Sequence, residues 1–328
     1  MIWLVWRQHR KQALFALAAL AALAALVVPT GLTMRGAFAD LGLPDCVRTL
    51  GKAGPANNET CLTAFQQFND EYQGFLLVGI LFLVLPLLVG LFWGAPLVAR
   101  EVEHGTHRLV WTQGVSRRQW ALAKFGLVGA ATLVIAVGYG LGIGWWLGPL
   151  NSAGQRNRFD PLFFDMQGAV PVGYTLFAVA LGILVGTVWP RVLPAMAGTL
   201  VGFLGLRVVL ATLARPRYLP AETLTFPIQG TAVAPRETAS DWVLASGVRN
   251  ASGELVVRGG SIECPPNATG PGAAGCGTGL GVEPGAYNWQ LYQPADRFWL
   301  FQGIETGIFV ALAVLLVYLA VRRIRRIA

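Results

Sequence analysis

The stretch AREVEHGTHRLVWTQGVSRRQWALAKFG, Ala99 to Gly126, carries seven charged residues and two of the three histidines of a 328-residue chain. That chain is 54% hydrophobic and only 13% charged, so the local density needs a cause. On its N-terminal side, Tyr72 to Ala99 contains no Asp, Glu, Lys or Arg, and on its C-terminal side neither does Phe125 to Gln155. An α-helix crosses the hydrocarbon core with about 20 mainly apolar residues, whereas core helices of soluble proteins seldom stay charge-free beyond about 18. The polar stretch therefore separates two membrane spans, and a water-soluble single domain is excluded.

The same criterion adds Gln12 to Met34 and Met166 to Pro190, both charge-free, and two weaker runs. Val192 to Ala214 carries only Arg207, and Phe298 to Val321 only Glu305. The expected fold is an all-α polytopic membrane protein with six transmembrane helices. Orientation follows from Lys and Arg in the short flanks. With the N-terminus inside, the inner segments Met1 to Lys11, Ala99 to Lys124, Trp189 to Leu193 and Val321 to Ala328 hold 13 of 25 basic residues in 50 positions. The outer segments hold 11 in 143 positions, together with 14 of the 17 acidic residues. Both termini are thus expected in the cytoplasm, and the net charge of +8 reflects topology rather than nucleic-acid binding.

The resulting layout is a cytoplasmic interfacial segment at 1–11 and spans one to five within 12–214, with an outer loop at 35–71 and a cytoplasmic loop at 99–124. An extracellular segment follows at 215–297, then the sixth span at 298–321 and a basic tail at 322–328. Arg7, Arg10 and Lys11 followed by ALFALAALAALAAL also have the form of a signal peptide. The uncharged run there is 23 residues, longer than the 7–15 or so of a signal core, which favours an uncleaved span.

Cysteine placement agrees with this topology. Cys46 and Cys61 fall in the first outer loop and Cys264 and Cys276 in the last, which reads as two disulfides in an oxidising compartment. In the outer segment, ELVVRGGSIEC alternates enough for a short strand pair, with Gly259 and Gly260 as its turn, and PPNATGPGAAGCGTG reads as a loop pinned by its cysteine. Pro86 is a candidate kink, and Gly138 with Gly142, Gly182 with Gly186, and Gly198 with Gly202 are candidate close helix contacts.

Ala99 to Gly126 divides into three parts. The second span continues through Glu103 and Gly105 stops it. Thr106 to Gln113 can form about two helical turns, with His107 and Trp111 on one side and Arg108 on the other. Ser116 with Gln119 fits a capping box that starts the third span, placing Arg117 and Arg118 at the inner interface. A metal site on His104 and His107 has Gly105 between the two and lacks a third ligand, and the plainest alternative is a solvated loop whose charges only set topology. A docking surface for a cytoplasmic partner uses all of these features.

At these residues the chain resembles the type-2 ABC exporter permeases, in particular a set common in high-GC actinobacteria. The resemblance rests on WRQHR at Trp6 to Arg10, ARE at Ala99 to Glu101, GTHRLVWTQGVSRRQW at Gly105 to Trp120, and YQPADRFWLFQGIE at Tyr292 to Glu305. It implies a multi-pass subunit of a bacterial plasma membrane, paired with a second permease copy and surrounded by lipid. ATP and Mg would be bound by a separate cytoplasmic ABC ATPase subunit, which docks on a coupling helix between the second and third spans. Arg100, Glu101, Glu103, His104, Thr106, His107, Arg108, Trp111, Arg117 and Arg118 are the expected coupling residues. No G-x-x-x-x-G-K-S/T phosphate loop occurs in the chain, so no catalytic residue and no cofactor of its own is expected. The implied cargo is hydrophobic or amphipathic: a drug, lipid or peptide.

An ion-coupled secondary transporter is the competing class, and it would carry ionisable groups near the bilayer midplane. At 1.5 Å per residue, Arg207 lies about 10 Å from the outer end of the fifth span and Glu305 about 9 Å from that of the sixth. That equal depth suggests an Arg207–Glu305 ion pair rather than a transport site. A membrane-anchored ligand sensor is the third class, and it would need no coupling helix.

Overall fold

The computed structural model describes residues 2–50, 59–105, 116–153, 157–228, 241–262, 282 and 285–324. Among the described residues, six helices are long and apolar enough to cross a membrane: Leu17–Asp40, Val78–Glu103, Arg117–Ser152, Val170–Val188, Val192–Arg217 and Ala295–Ile324. The first is the end of a continuous helix from Ile2, so the expected interfacial segment and the first span are one rod without a break at Lys11. The fifth runs to Arg217, three residues past its last expected position, which draws Arg215 into the bundle.

The fourth span is the central one. In its most apolar window 72% of residues are buried, against 17% in the first span and 11% in the fifth. Small residues allow the second span to approach it closely. A Cβ placed on Gly182 would stand 2.5 Å from the Ala95 nitrogen, and one on Gly186 2.7 Å from the Ala95 oxygen. The second span answers with Gly90 and Gly94, whose added Cβ atoms would meet the backbone of Ala178 and Val179 at 2.8 Å and 2.6 Å. This crossing uses Gly182 and Gly186 as expected. Gly138 and Gly142 instead face open space, and Gly198 and Gly202 lie against the side chains of Trp189 and Leu181.

The second and fifth spans each change pitch. Pro86 lies inside the helix Phe75–Val89, but the irregularity comes after it, as a π-turn at Gly90–Gly94. A second π-turn, Leu210–Ala214, interrupts the fifth span between Arg207 and Arg215. At about 100° per residue these two arginines would stand about 80° apart on a plain α-helix; one inserted residue brings them within about 20° of each other.

At one end of the bundle, helices Leu43–Leu50 and Glu59–Tyr72 are joined by the Cys46–Cys61 disulfide. Phe68 packs edge-on against Phe38, Tyr72 stacks on Phe75, and Phe75 meets buried Trp146 of the third span. The Trp146 indole donates to Thr30 Oγ1 at 2.9 Å, tying the third span to the first. Cys264 and Cys276 lie outside the described residues, as does all of PPNATGPGAAGCGTG.

The same end carries a four-stranded antiparallel sheet in the order β1-β4-β2-β3, with β1 Glu222–Pro227, β2 Trp242–Arg249, β3 Leu255–Arg258 and β4 Tyr287–Gln293. Among the described residues of ELVVRGGSIEC, the expected strand pair is not formed. That stretch supplies β3 alone, which pairs with the upstream β2 across the turn at Asn250–Gly253. Gly259 and Gly260 have φ of +78° and +73°, and they bend the chain back over β2, where their amides bond Ser246. The sheet is fixed to the bundle by Trp242 stacked on Phe159, by Asp241 Oδ1 accepting from the Ala295 amide at 2.8 Å, and by Gln293 donating to the Leu219 carbonyl at 2.8 Å.

Candidate functional site: a buried charge cluster and the basic end of the bundle

Near the sheet end, four ionisable side chains meet inside the bundle. Asp165 comes from the short helix Pro161–Met166, Arg207 and Arg215 from the fifth span, and Glu305 from the sixth. Asp160 starts the short helix by accepting from the Leu162 amide at 3.1 Å, and Pro161 at its first position suits a helix start. Arg215 donates from Nε to Glu305 Oε2 at 2.8 Å and from Nη2 to Glu305 Oε1 at 2.7 Å, and Nη2 also reaches Asp165 Oδ1 at 2.5 Å. Arg207 closes on the other Asp165 oxygen at 2.7 Å.

The expected direct pair between Arg207 and Glu305 is therefore replaced by a chain of contacts, Arg207 to Asp165 to Arg215 to Glu305. Arg215, Glu305 and Asp165 are almost wholly inaccessible, and Arg207 retains 13% of its side-chain exposure. Two cations and two carboxylates leave the cluster neutral, which is the condition for keeping charge at membrane depth.

Aromatic groups complete the shell. The Tyr174 hydroxyl lies 2.5 Å from Glu305 Oε1 and 3.0 Å from Asp165 Oδ1, and Phe164 covers the Arg215 guanidinium at 4.1 Å. Tyr218 donates to Glu305 Oε2 at 3.3 Å; burial first, then the Glu305 carboxylate, raises its hydroxyl above the ordinary phenol range. One turn before Glu305, Gln302 accepts from the Ala169 and Val170 amides at 3.1 Å and 3.0 Å and donates to the Phe164 carbonyl at 2.9 Å. The sixth span thus holds both the start of the fourth span and the short helix before it.

Asp165, Tyr174 and Arg215 escaped the sequence reading. Asp165 sits where a polar outer loop was expected, and Arg215 follows the last apolar residue of its span. The available signal was PLFFDM, a single acid set among aromatic and aliphatic neighbours directly after a helix-starting proline.

At the opposite, basic end the flanks of the expected coupling stretch are held firmly. Glu103 ends the second span, His104 caps it with Nδ1 2.8 Å from the Arg100 carbonyl, and Gly105 turns away at φ +69°. Ser116 and Gln119 form the expected capping box at the start of the third span. Glu101 and Lys124 form a buried ion pair between these two spans, with the Lys124 ammonium also 5.1 Å from the Trp120 ring centre. Glu103 Oε2 accepts from the Val192 amide at 3.0 Å, placing a carboxylate at the start of the fifth span, where a helix dipole favours negative charge.

Of the expected coupling residues, Glu101 and Glu103 thus have partners within the chain, Arg100, His104 and Arg118 are exposed, and Arg117 is half-buried. Thr106, His107, Arg108 and Trp111 lie outside the described residues.

A family model described as ABC-2 membrane transporter related matches residues 17–215. The chain belongs to that family. No match was found among curated proteins or among solved structures. In this ABC-2-related permease the matched region covers the first five spans and ends on Arg215, so it includes three of the four charges in the cluster, while Glu305 lies beyond it. Six apolar helices and the family together make it a multi-pass membrane protein with a transport-permease role.

Proposed function

We propose that this chain is the membrane-spanning subunit of an ATP-driven exporter, assembled with a second permease copy and driven by a separate cytoplasmic ABC ATPase. The basic end faces the cytoplasm and the sheet end faces outward. The observation that carries the reading is the clamping of the stretch between the second and third spans. Its two flanks are pinned by the Glu101–Lys124 pair, and Glu103 ties the first flank to the fifth span. A force applied to residues 106–115 then moves three spans together rather than bending a loose loop. In this arrangement Glu101 and Glu103 are positioning residues, while Arg100, His104, Thr106, His107, Arg108, Trp111, Arg117 and Arg118 present the docking surface.

ATP and Mg belong to the partner subunit, in keeping with a chain that lacks a phosphate-binding loop. The cargo is hydrophobic or amphipathic. The charge cluster does not favour ion-coupled transport, since every member is already matched in sign and bonded within the protein.

Co-purification with a cytoplasmic ABC ATPase, sought first in the reading frames adjacent to this one, tests the assignment. Arg108→Glu is expected to abolish the complex while leaving the permease folded. A complex that survives both Arg108→Glu and Trp111→Ala would overturn the docking site.

A further inference from the structure

We propose that a groove between the third and sixth spans binds a single anionic phospholipid from the leaflet at the sheet end. The groove has a volume of about 630 Å³, within the range of about 300–1,000 Å³ typical of ligand sites. Its floor is the face of the third span bearing Gly140, Gly144 and Gly148, and Trp145 and Trp299 are among its walls. The groove exists because these glycines carry no side chain: a Cβ on Gly144 would meet nothing within 4 Å.

Polarity divides the groove along its length. The deep end, at Val137 and Leu141, is apolar, whereas the end at the membrane boundary is lined by Asn151, Ser152, Gln167 and Arg158. From Val137 to Ser152 the third span rises about 22 Å at 1.5 Å per residue. One leaflet provides about 15 Å of hydrocarbon and 5–7 Å or so of headgroup layer. The trough therefore matches one lipid from chain end to headgroup, not a ligand crossing the bilayer.

Charge selects the headgroup. Arg158 is exposed, and among the described residues it forms no ion pair and no carboxylate lines the groove. Arg35 adds a second cation behind the same wall. Its guanidinium lies 4.7 Å from the Trp145 ring centre, donates to the Trp145 carbonyl at 2.5 Å, and stands 3.2 Å from where a Cβ on Gly148 would be. Two cations without a carboxylate partner beside an apolar trough fit a phosphate-bearing amphiphile.

The inference rests on the chain spanning a membrane and not on its coupling to an ATPase, so it is tested on the permease alone. The purified full chain is equilibrated with mixed vesicles of phosphatidylglycerol and phosphatidylcholine and re-extracted. Lipid retained per protein is then counted by mass spectrometry, and oligomeric state is measured in the same samples. The wild-type chain is expected to retain phosphatidylglycerol preferentially, and Gly144→Leu, which fills the trough, to lose it. Arg158→Gln, which removes one positive charge, should cut the preference about fivefold, the factor that about 1 kcal/mol per basic residue at an anionic surface makes. Gly142→Leu adds the same bulk to this helix outside the groove and is expected to behave as wild type. Equal retention in wild type and Gly144→Leu would overturn the proposal. So would an altered oligomeric state in Gly144→Leu with lipid unchanged, which would assign the trough to a second copy of the chain.

Discussion

Arg215 grips Glu305 with both arms of its guanidinium, Nε to Oε2 at 2.8 Å and Nη2 to Oε1 at 2.7 Å, joining the end of the fifth span to the sixth. Such a planar fork is specific to arginine, since lysine offers a point charge on a flexible stem. Both side chains are about 1% exposed, so neither is compensated by water if the other is removed. The pair also determines where the sheet stands, because β1 follows the fifth span directly and β4 leads into the sixth.

Glu305→Gln is accordingly expected to destabilise the protein by about 3–5 kcal/mol, the usual cost of leaving one member of a buried ion pair uncompensated. Arg215→Met should do the same in the opposite sense of charge. The combined Arg215→Met, Glu305→Gln variant restores neutrality, since Asp165 keeps Arg207, and is expected to lose less than the sum of the two. Thermal unfolding in detergent reads all three. Additive losses in the double variant would show that the two residues do not act as a pair.

The crossing of the second and fourth spans makes a second, independent prediction. A methyl on Gly182 would lie 2.5 Å from the Ala95 nitrogen and 2.8 Å from the Gly90 oxygen, backbone atoms that cannot rotate away. Gly182→Ala should therefore push the helices apart and cost about 1–3 kcal/mol. Gly142→Ala, with nothing within 4 Å, should be neutral or slightly stabilising, as alanine is the better helix former. Equal unfolding midpoints for the two variants would count against a tight crossing at this point.

These two sites differ in how far the sequence revealed them. The spans themselves were legible because the absence of charge over 20 or more residues is a local property, and so were the stop at Gly105 and the cap at Ser116. The cluster was only half legible. Arg207 and Glu305 stood out as lone charges in apolar runs, but their actual partners lie 42 and 90 residues away, and nothing local distinguishes Asp165 from an acid in a solvated loop. The π-turn at Leu210–Ala214, which rotates Arg215 inward, has no marker in LATLA. Strand pairing failed for a related reason. Alternation in ELVVRGGSIEC indicates a strand, but which strand it joins depends on β2, several residues earlier and across a turn.

On the proposed function, the ion pair at the basic end would separate docking from coupling. Glu101 and Lys124 face each other between the second and third spans and contribute little exposed surface, so Glu101→Gln is expected to leave ATPase binding intact while reducing transport per ATP hydrolysed. The exchange Glu101→Lys with Lys124→Glu should recover much of the loss, because it restores opposite charges at the same positions. Binding lost in Glu101→Gln would place this carboxylate in the docking surface instead. The readout is co-purification together with stimulated ATPase activity in reconstituted vesicles.

The disulfide tests both stability and orientation. Cys46 and Cys61 close a loop with a sequence separation of 15, and restricting the unfolded chain over that length is worth about 3 kcal/mol. Reduction, or Cys46→Ser, should therefore lower the unfolding midpoint and loosen the packing of Phe68 on Phe38 and of Tyr72 on Phe75, which depends on helix Glu59–Tyr72 staying in place. In a chain also carrying Cys264→Ser and Cys276→Ser, the two remaining thiols report which side of the membrane this end occupies. After mild reduction of intact cells, a membrane-impermeant maleimide is expected to label them from outside. Labelling confined to inverted membrane vesicles would place the sheet end in the cytoplasm, and the basic end would then be on the wrong side to meet an ATPase.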